Sequence, residues 1–267
     1  VSRLEERFAT LRARGEKALI CFVTAGDPDA ARTVQVVRAL AEAGVDAVEI
    51  GLPFSDPLAD GPSIQASSQR ALEGGMTTAK ALDIVAEIRA SCPSLPLILM
   101  TYFNPIRYYG LERYARDAKA KGADAHIVTD LTPEEAGDWK RFSTANGLDT
   151  VFLLAPTSTP IRIEVVSKLS TGFVYCVSRT GVTGAQQDIP AELTEVVARI
   201  KAQTSAPVCV GFGVSSPEHV RHICAFADGV VVGSALVNLV HQHRDDSDLA
   251  GRVYDFASTL KAATRSK

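Results

Sequence analysis

The 267-residue sequence has no apolar stretch long enough to be a membrane span. Its longest early apolar run is ALICFV, and the opening VSRLEERFATLRARGEK mixes both signs of charge, so neither a spanning segment nor a signal segment is expected. It also lacks an excess of positive charge. Lys and Arg number 28 against 31 Asp and Glu, a formal net charge of −3, which makes nucleic acid and membrane poor partners and small molecules better ones. Cysteine is sparse and odd in number: Cys21, Cys92, Cys176, Cys209 and Cys224 stand alone, mostly within apolar runs. They read as small buried hydrophobes in a reducing compartment, so a cytoplasmic location is expected. There is no GxSxG elbow and no Walker loop. His219 and His222, and His241 with His243, lack a convincing third ligand, and no metal is expected. The single Trp139 follows a helical face and reads as packing.

What is present is ordinary globular composition, 46% hydrophobic and 22% charged, enough for one large core or two small ones. Eight short apolar runs recur (LICFVT, AVEIG, LILMTY, AHIVTD, TVFLLA, FVYCVS, VCVGFG and GVVVGS), each too short for a core helix and therefore read as a strand. Amphipathic stretches lie between them, such as Val34, Val37 and Ala41 with Val36 and Leu40. Capping residues followed by proline predict helix starts at Asp27-Pro28, Thr132-Pro133 (with Glu135 closing a capping box), Thr159-Pro160 and Ser216-Pro217. One phrase repeats: AGVDAVEI, KGADAHIV and NGLDTVFL each join a helix-ending Gly to an Asp and a strand. Eight strands alternating with helices, with no linker to divide them, predict one domain folded as a closed (β/α)8 barrel. The rival, an open doubly wound sheet, would want a Gly-rich first turn where this chain has TAGDP.

Sites in such barrels form at the C-terminal ends of the strands, which directs attention to DAVEIGLPFSDPLADG at 46–61. Alternation puts Ala47, Glu49 and Gly51 on one face of the strand, with three more carboxylates (Asp46, Asp56, Asp60) nearby. An unpaired carboxylate is costly to bury. Glu49 therefore either pairs with an Arg or Lys at the barrel mouth or faces a ligand. Asp60 is either a helix cap, with Pro62 just inside the helix, or the second member of an acid pair with Glu49 whose proton affinities can diverge. Asp56 also reads as a turn residue. SRTGVTGA at 178–185 is either irregular loop or a mobile lid. GFGV at 211–214 and VGSAL at 232–236 follow the seventh and eighth strands, where backbone N–H groups often cradle a phosphate.

Together FVTAGDP, VEIGLPFSDPLADGPSIQ, LMTYFNP, SRTGVTGA, VGFGVSS and VVGSALV resemble the tryptophan synthase alpha chain family, in order and spacing, over nearly the whole sequence. The resemblance implies a TIM barrel and a lyase, of the carbon–carbon or carbon–oxygen class, that cleaves indole-3-glycerol phosphate by a retro-aldol step to indole and glyceraldehyde 3-phosphate. It also implies no cofactor in this chain, and a beta-chain partner carrying pyridoxal phosphate in an alpha2beta2 heterotetramer. On the matching positions Glu49 is the general acid and base and Asp60 accepts from the indole N–H. Tyr175 and Thr183 orient them, and Phe22, Met100, Ile127 and Phe212 line the indole pocket. Gly184, Gly213, Gly233 and Ser234 hold the phosphate, while Asp56, Pro57, Asn104 and Pro105 face the partner, where the apolar Phe54, Pro57 and Leu58 are expected to be exposed. The sequence departs from the usual family form at His126, Thr129 and Thr132 and keeps Asp130. Two other readings stand beside this one: another phosphate-binding barrel enzyme of amino-acid biosynthesis, and a non-catalytic barrel that activates a beta-type partner. The synthase that forms indole-glycerol phosphate would need a lysine near a strand end, and none of the eight runs contains one.

Overall fold

The computed structural model describes residues 2–177, 192–211 and 213–265. The strands are β1 Ala18–Thr24, β2 Ala47–Gly51, β3 Leu97–Thr101, β4 Ala125–Val128, β5 Asp149–Val151, β6 Leu153–Leu154, β7 Val174–Val177, β8 Val208–Gly211 and β9 Gly229–Val232. All pairings are parallel, in the order β5-β4-β3-β2-β1-β9-β8-β7-β6. The two ends of that order are consecutive pieces of the run TVFLLA, separated only by Phe152, whose carbonyl accepts from Tyr175 N at 3.2 Å. The expected single fifth strand is thus two pieces, one bonded to each neighbour, and the sheet closes through it. Among the described residues no helix is long and apolar enough to cross a membrane.

Apolar burial falls in two shells, as helices on the outside of a parallel barrel require. The outer shell lies between strands and helices and holds Val48, Ile50, Leu97 and Leu99; the inner shell fills the barrel with Ile20, Ala47, Ile98, Ala125, Cys209 and Val231. The helix Arg3–Arg14 plugs its lower end. Leu4, Phe8 and Leu11, at helical spacing, join the inner shell, and Phe8 stacks at 5.9 Å from Phe173.

The repeated Gly-x-Asp phrase has a physical reason. Gly44 and Gly122 take positive φ (84° and 101°) to end their helices, and the Asp that follows reaches sideways along the bottom rim. Asp46 accepts from Leu19 N at 2.8 Å and Asp124 from Leu97 N at 2.9 Å; Asp228 repeats the bond with Val208 N at 3.0 Å. Each carboxylate also meets a cation: Lys261 on Asp46, Arg3 and Arg89 on Asp124, and Lys201 on Asp228. Asp46 therefore belongs to the bottom rim and not, as its place in the sequence suggested, to the carboxylates of the loop after β2. Asp124→Ala is expected to cost about 3 kcal/mol in chemical denaturation, because it strands the half-buried Arg89 guanidinium and a buried N–H together. A loss below about 1 kcal/mol would show that the rim bonds add little.

Local corrections follow the same bookkeeping of polar groups. Asp27 does not cap the helix Ala30–Glu42; Asp29 does, accepting from Arg32 N, while Asp27 pairs with Arg70 at 2.7 Å. Thr132 to Glu135 form a turn, and the helix starts later, at Gly137–Ala145. Thr159 and Ser216 cap as expected. His126 points out of the barrel, packed against Tyr114 at 5.3 Å and Trp139 at 5.1 Å, and burial pushes its pKa down to about 3. That departure from the family form is a neutral core histidine, remote from the inner face, and Trp139 is packing as read.

Candidate active site

Strand alternation decides which side chains look into the barrel. Phe22 lies in register with Glu49, and Gly51 with Met100, which pairs in turn with Ile127. These share the inward parity of Ile20, Ala47, Ile98 and Ala125, and Tyr175 shares that of Phe173 on the far wall. Two glycines make room for the rings. A Cβ on Gly51 would stand 2.4 Å from Phe22 Cζ, and one on Gly211 would stand 2.2 Å from Tyr175 Oη, so both aromatics lean across strand backbone where any side chain would collide.

Glu49 is 1% exposed, its Oε1 has no hydrogen-bond partner, and among the described residues no Arg or Lys pairs with it. Among the described residues the rim ion pair is not formed. Burial alone pushes its pKa up to about 8, because the ionised form has lost its water. Asp60 is 5% exposed. It is not a helix cap: Gly61 holds that position ahead of Pro62–Glu73. The Asp60 backbone is pinned instead, with N donating to Pro57 O at 3.1 Å and O accepting from Gln65 Nε2 at 2.8 Å. Its carboxyl rises to about 6 through burial, opposed by a hydrogen bond from Tyr102. Tyr175 is buried, and desolvation first, then the charges of Glu49, Cys209 and Asp60, push its phenol well up.

Three participants went unassigned in the sequence. Tyr102, quoted within LMTYFNP, has its ring 5.2 Å from Phe54 and its hydroxyl accepting from Ala59 N at 2.9 Å. Leu153 and Val177 are partly exposed and pack on the inner shell; alternation from Val151 and Tyr175 was the signal for both. Thr183, Gly184 and Phe212 lie outside the described residues, as does the 178–185 segment considered as a lid. On the loops after β8 and β9, Gly213 has φ 81° with nothing within 4 Å of a Cβ there, and Gly233 is the N-cap of the helix Ser234–Gln242 with no side-chain capping bond. Its first-turn N–H groups can receive an anion without a Lys or Arg.

Asp56 is exposed and accepts from Ser55 Oγ at 2.6 Å, beside a half-buried Pro57 and a Leu58 that is 87% exposed. Asn104 is exposed and Pro105 half-buried on the short helix Phe103–Tyr109, whose Tyr108 is 95% exposed. Phe54 and Pro57 differ from the expectation of exposure: both are half-buried, Phe54 against Tyr102.

Comparison with known proteins agrees over the full length. A family model described as tryptophan synthase alpha chain matches residues 8–265. The tryptophan synthase alpha chain of Geobacter sulfurreducens is 48% identical over 263 residues, 98% of this chain and 99% of that protein. That of Chloroflexus aurantiacus is 43% identical over 99% of this chain and all of its own. Among solved structures, Mycobacterium tuberculosis tryptophan synthase superposes with a TM-score of 0.91 at 38% identity, covering both chains completely. Tryptophan synthase subunit alpha from Legionella pneumophila gives 0.91 at 33%, covering 99% of this chain and 98% of that one.

Proposed function

The chain belongs to the tryptophan synthase alpha chain family, and from that premise we propose how its own residues perform the family's reaction. It is a lyase of tryptophan biosynthesis that cleaves indole-3-glycerol phosphate to indole and glyceraldehyde 3-phosphate. The observation that carries the residue assignment is an inward-facing carboxyl, Glu49, 1% exposed and without an ion-pair partner among the described residues, with a second buried carboxyl, Asp60, in the loop that follows its strand.

At neutral pH a group with pKa about 8 is mostly protonated and one with pKa about 6 mostly ionised. Glu49 gives its proton to indole C3, which turns the ring nitrogen cationic. Asp60, ionised, accepts the N–H hydrogen bond and stabilises that charge. Glu49, now a carboxylate, takes the proton of the side-chain hydroxyl. The bond from C3 to the hydroxyl-bearing carbon breaks, its electron pair restores the indole, and the carbon becomes the aldehyde. One proton has gone on and one has come off, so the cleavage is of a carbon–carbon bond and needs no cofactor in this chain.

Phe22, Met100, Ile127 and Tyr175, with Phe212, enclose the indole; Gly184, Gly213, Gly233 and Ser234 hold the phosphate through backbone N–H groups; Thr183, with Tyr175, orients the two acids. A beta chain carrying pyridoxal phosphate receives the indole, docked over Asp56, Pro57, Asn104 and Pro105, in an alpha2beta2 heterotetramer of the cytoplasm. The exposed Leu58 and Tyr108 flank that surface and support this placement. Incubating the purified chain with indole-3-glycerol phosphate, with and without a beta chain, is expected to release indole slowly alone and faster with the partner; no indole under either condition would end the assignment.

A further inference from the structure

Resting on the placement of Asp60 at the indole and of Gly233 and Ser234 at the phosphate, we infer that Arg70 is a positioning residue for the cleavage: its forked bonds to Asp27 hold the helix Pro62–Glu73 where it sets the spacing between those two ends of the site. The helix touches both ends. Asp60 comes just before its N-cap, Gly61, and is tied back onto it where Gln65 Nε2 donates to Asp60 O at 2.8 Å. At the other end, Ile64 Cδ1 stands 3.6 Å from where a Cβ on Gly233 would lie, and the helix packs against Ser234–Gln242.

Two polar contacts fasten this helix to the end of β1 and the loop after it. Ser67 Oγ donates to Ile64 O at 2.8 Å, so in its buried 2.6 Å contact with Thr24 Oγ1 the threonine is the donor. Three residues on, Arg70 Nε and Nη2 donate to the two carboxylate oxygens of Asp27 at 2.9 and 2.7 Å. A planar fork on a carboxylate fixes orientation as well as distance, which a single point contact does not. Asp27 is buried, so the pair is little screened by salt.

The loop that receives Arg70 is itself anchored. Ala25 N donates to Gly51 O at 2.9 Å, and Gly26 N donates at 3.0 Å to Thr33 Oγ1, which gives its own proton to Asp29 O at 2.8 Å. Asp27 therefore stands on a segment bonded to β2, the strand of Glu49, and to the helix Ala30–Glu42. Through Arg70, the helix that follows Asp60 is registered against the strand that carries Glu49. A substrate that spans the site needs both registers at once, whereas a fragment that fills one end needs neither.

The test compares three ligands of the full chain: indole, glycerol 3-phosphate, and indole-3-propanol phosphate, which joins the two. Arg70→Met is expected to weaken the joined ligand about tenfold while each fragment binds as before, because linkage helps only where the spacing fits. Cleavage of indole-3-glycerol phosphate should fall about a hundredfold, the scale of a 1 Å misplacement, and Arg70→Lys should restore part of it. Should Arg70→Met not fold, Arg70→Lys and Asp27→Asn, which each keep a hydrogen bond across the pair, carry the same comparison. Equal losses for the fragments and the joined ligand, or a joined ligand and a rate that are unaffected, overturn the inference. Asp60→Asn separates the two levels of argument. It should weaken indole and leave glycerol 3-phosphate alone; if it binds indole and cleaves normally, the assignment of Asp60 fails, whatever Arg70 does.

Discussion

Glu49→Gln is expected to lower the rate of indole formation about a thousandfold or more while the variant still binds a phosphate-bearing substrate analogue. Glutamine has nearly the same shape, so the pocket beneath Phe22 and beside Tyr175 is retained. What it lacks is an acidic proton for C3 and a basic oxygen for the side-chain hydroxyl, and one group supplies both in the proposed sequence. General acid–base catalysis by one placed group contributes roughly 10²–10⁴-fold, and the loss belongs in kcat because neither transfer is made in the ground state. Single-turnover indole release, with analogue affinity measured in parallel, checks it. Turnover comparable to the unmodified chain would remove Glu49 from the chemistry and leave the non-catalytic reading of the barrel standing.

The same substitution should change stability, in a direction opposite to the usual carboxylate. Glu49 titrates near 8 in the folded protein against an ordinary value of 4.5. Between those pH values the folded chain keeps a proton that the unfolded chain has released. Stability is therefore full below about pH 4.5 and declines as pH climbs through 8. Glutamine has nothing to ionise, so the stability advantage of Glu49→Gln over the unmodified chain should grow with pH, reaching on the order of 4 kcal/mol at pH 9. Ligand-free denaturant titrations at several pH values measure it. Parallel pH dependences in the two proteins would mean that Glu49 is hydrated or paired in solution. The expense of burying this acid is then the same physical quantity that holds its proton ready for C3.

Much of this was legible because the signals were local. The strands, the glycine-ended helices and the inward parity of Glu49, Met100 and Ile127 follow from periods of two and 3.6 residues, which a sequence displays directly. Other features depend on partners far along the chain. Asp46 and Asp60 sit in one stretch of sequence and at opposite ends of the barrel, because a strand of five residues separates them. Asp60 is 5% exposed, and no local pattern announces that burial. Asp27 reads as a cap until Arg70 is placed beside it. The inward or outward sense of His126 was available from alternation with Ala125 and Ile127, and would have removed that departure from the pocket at once.

The plug at the barrel floor bears on how the chain is made. The helix Arg3–Arg14 is made before the residues it docks on: Arg3 waits for Asp124, Ser2 for Asp149 and Arg12 for Ser205. Until most of the polypeptide has been synthesised, Leu4, Phe8 and Leu11 have no destination, and during that interval the nascent chain offers chaperones and proteases an apolar face that the finished molecule conceals.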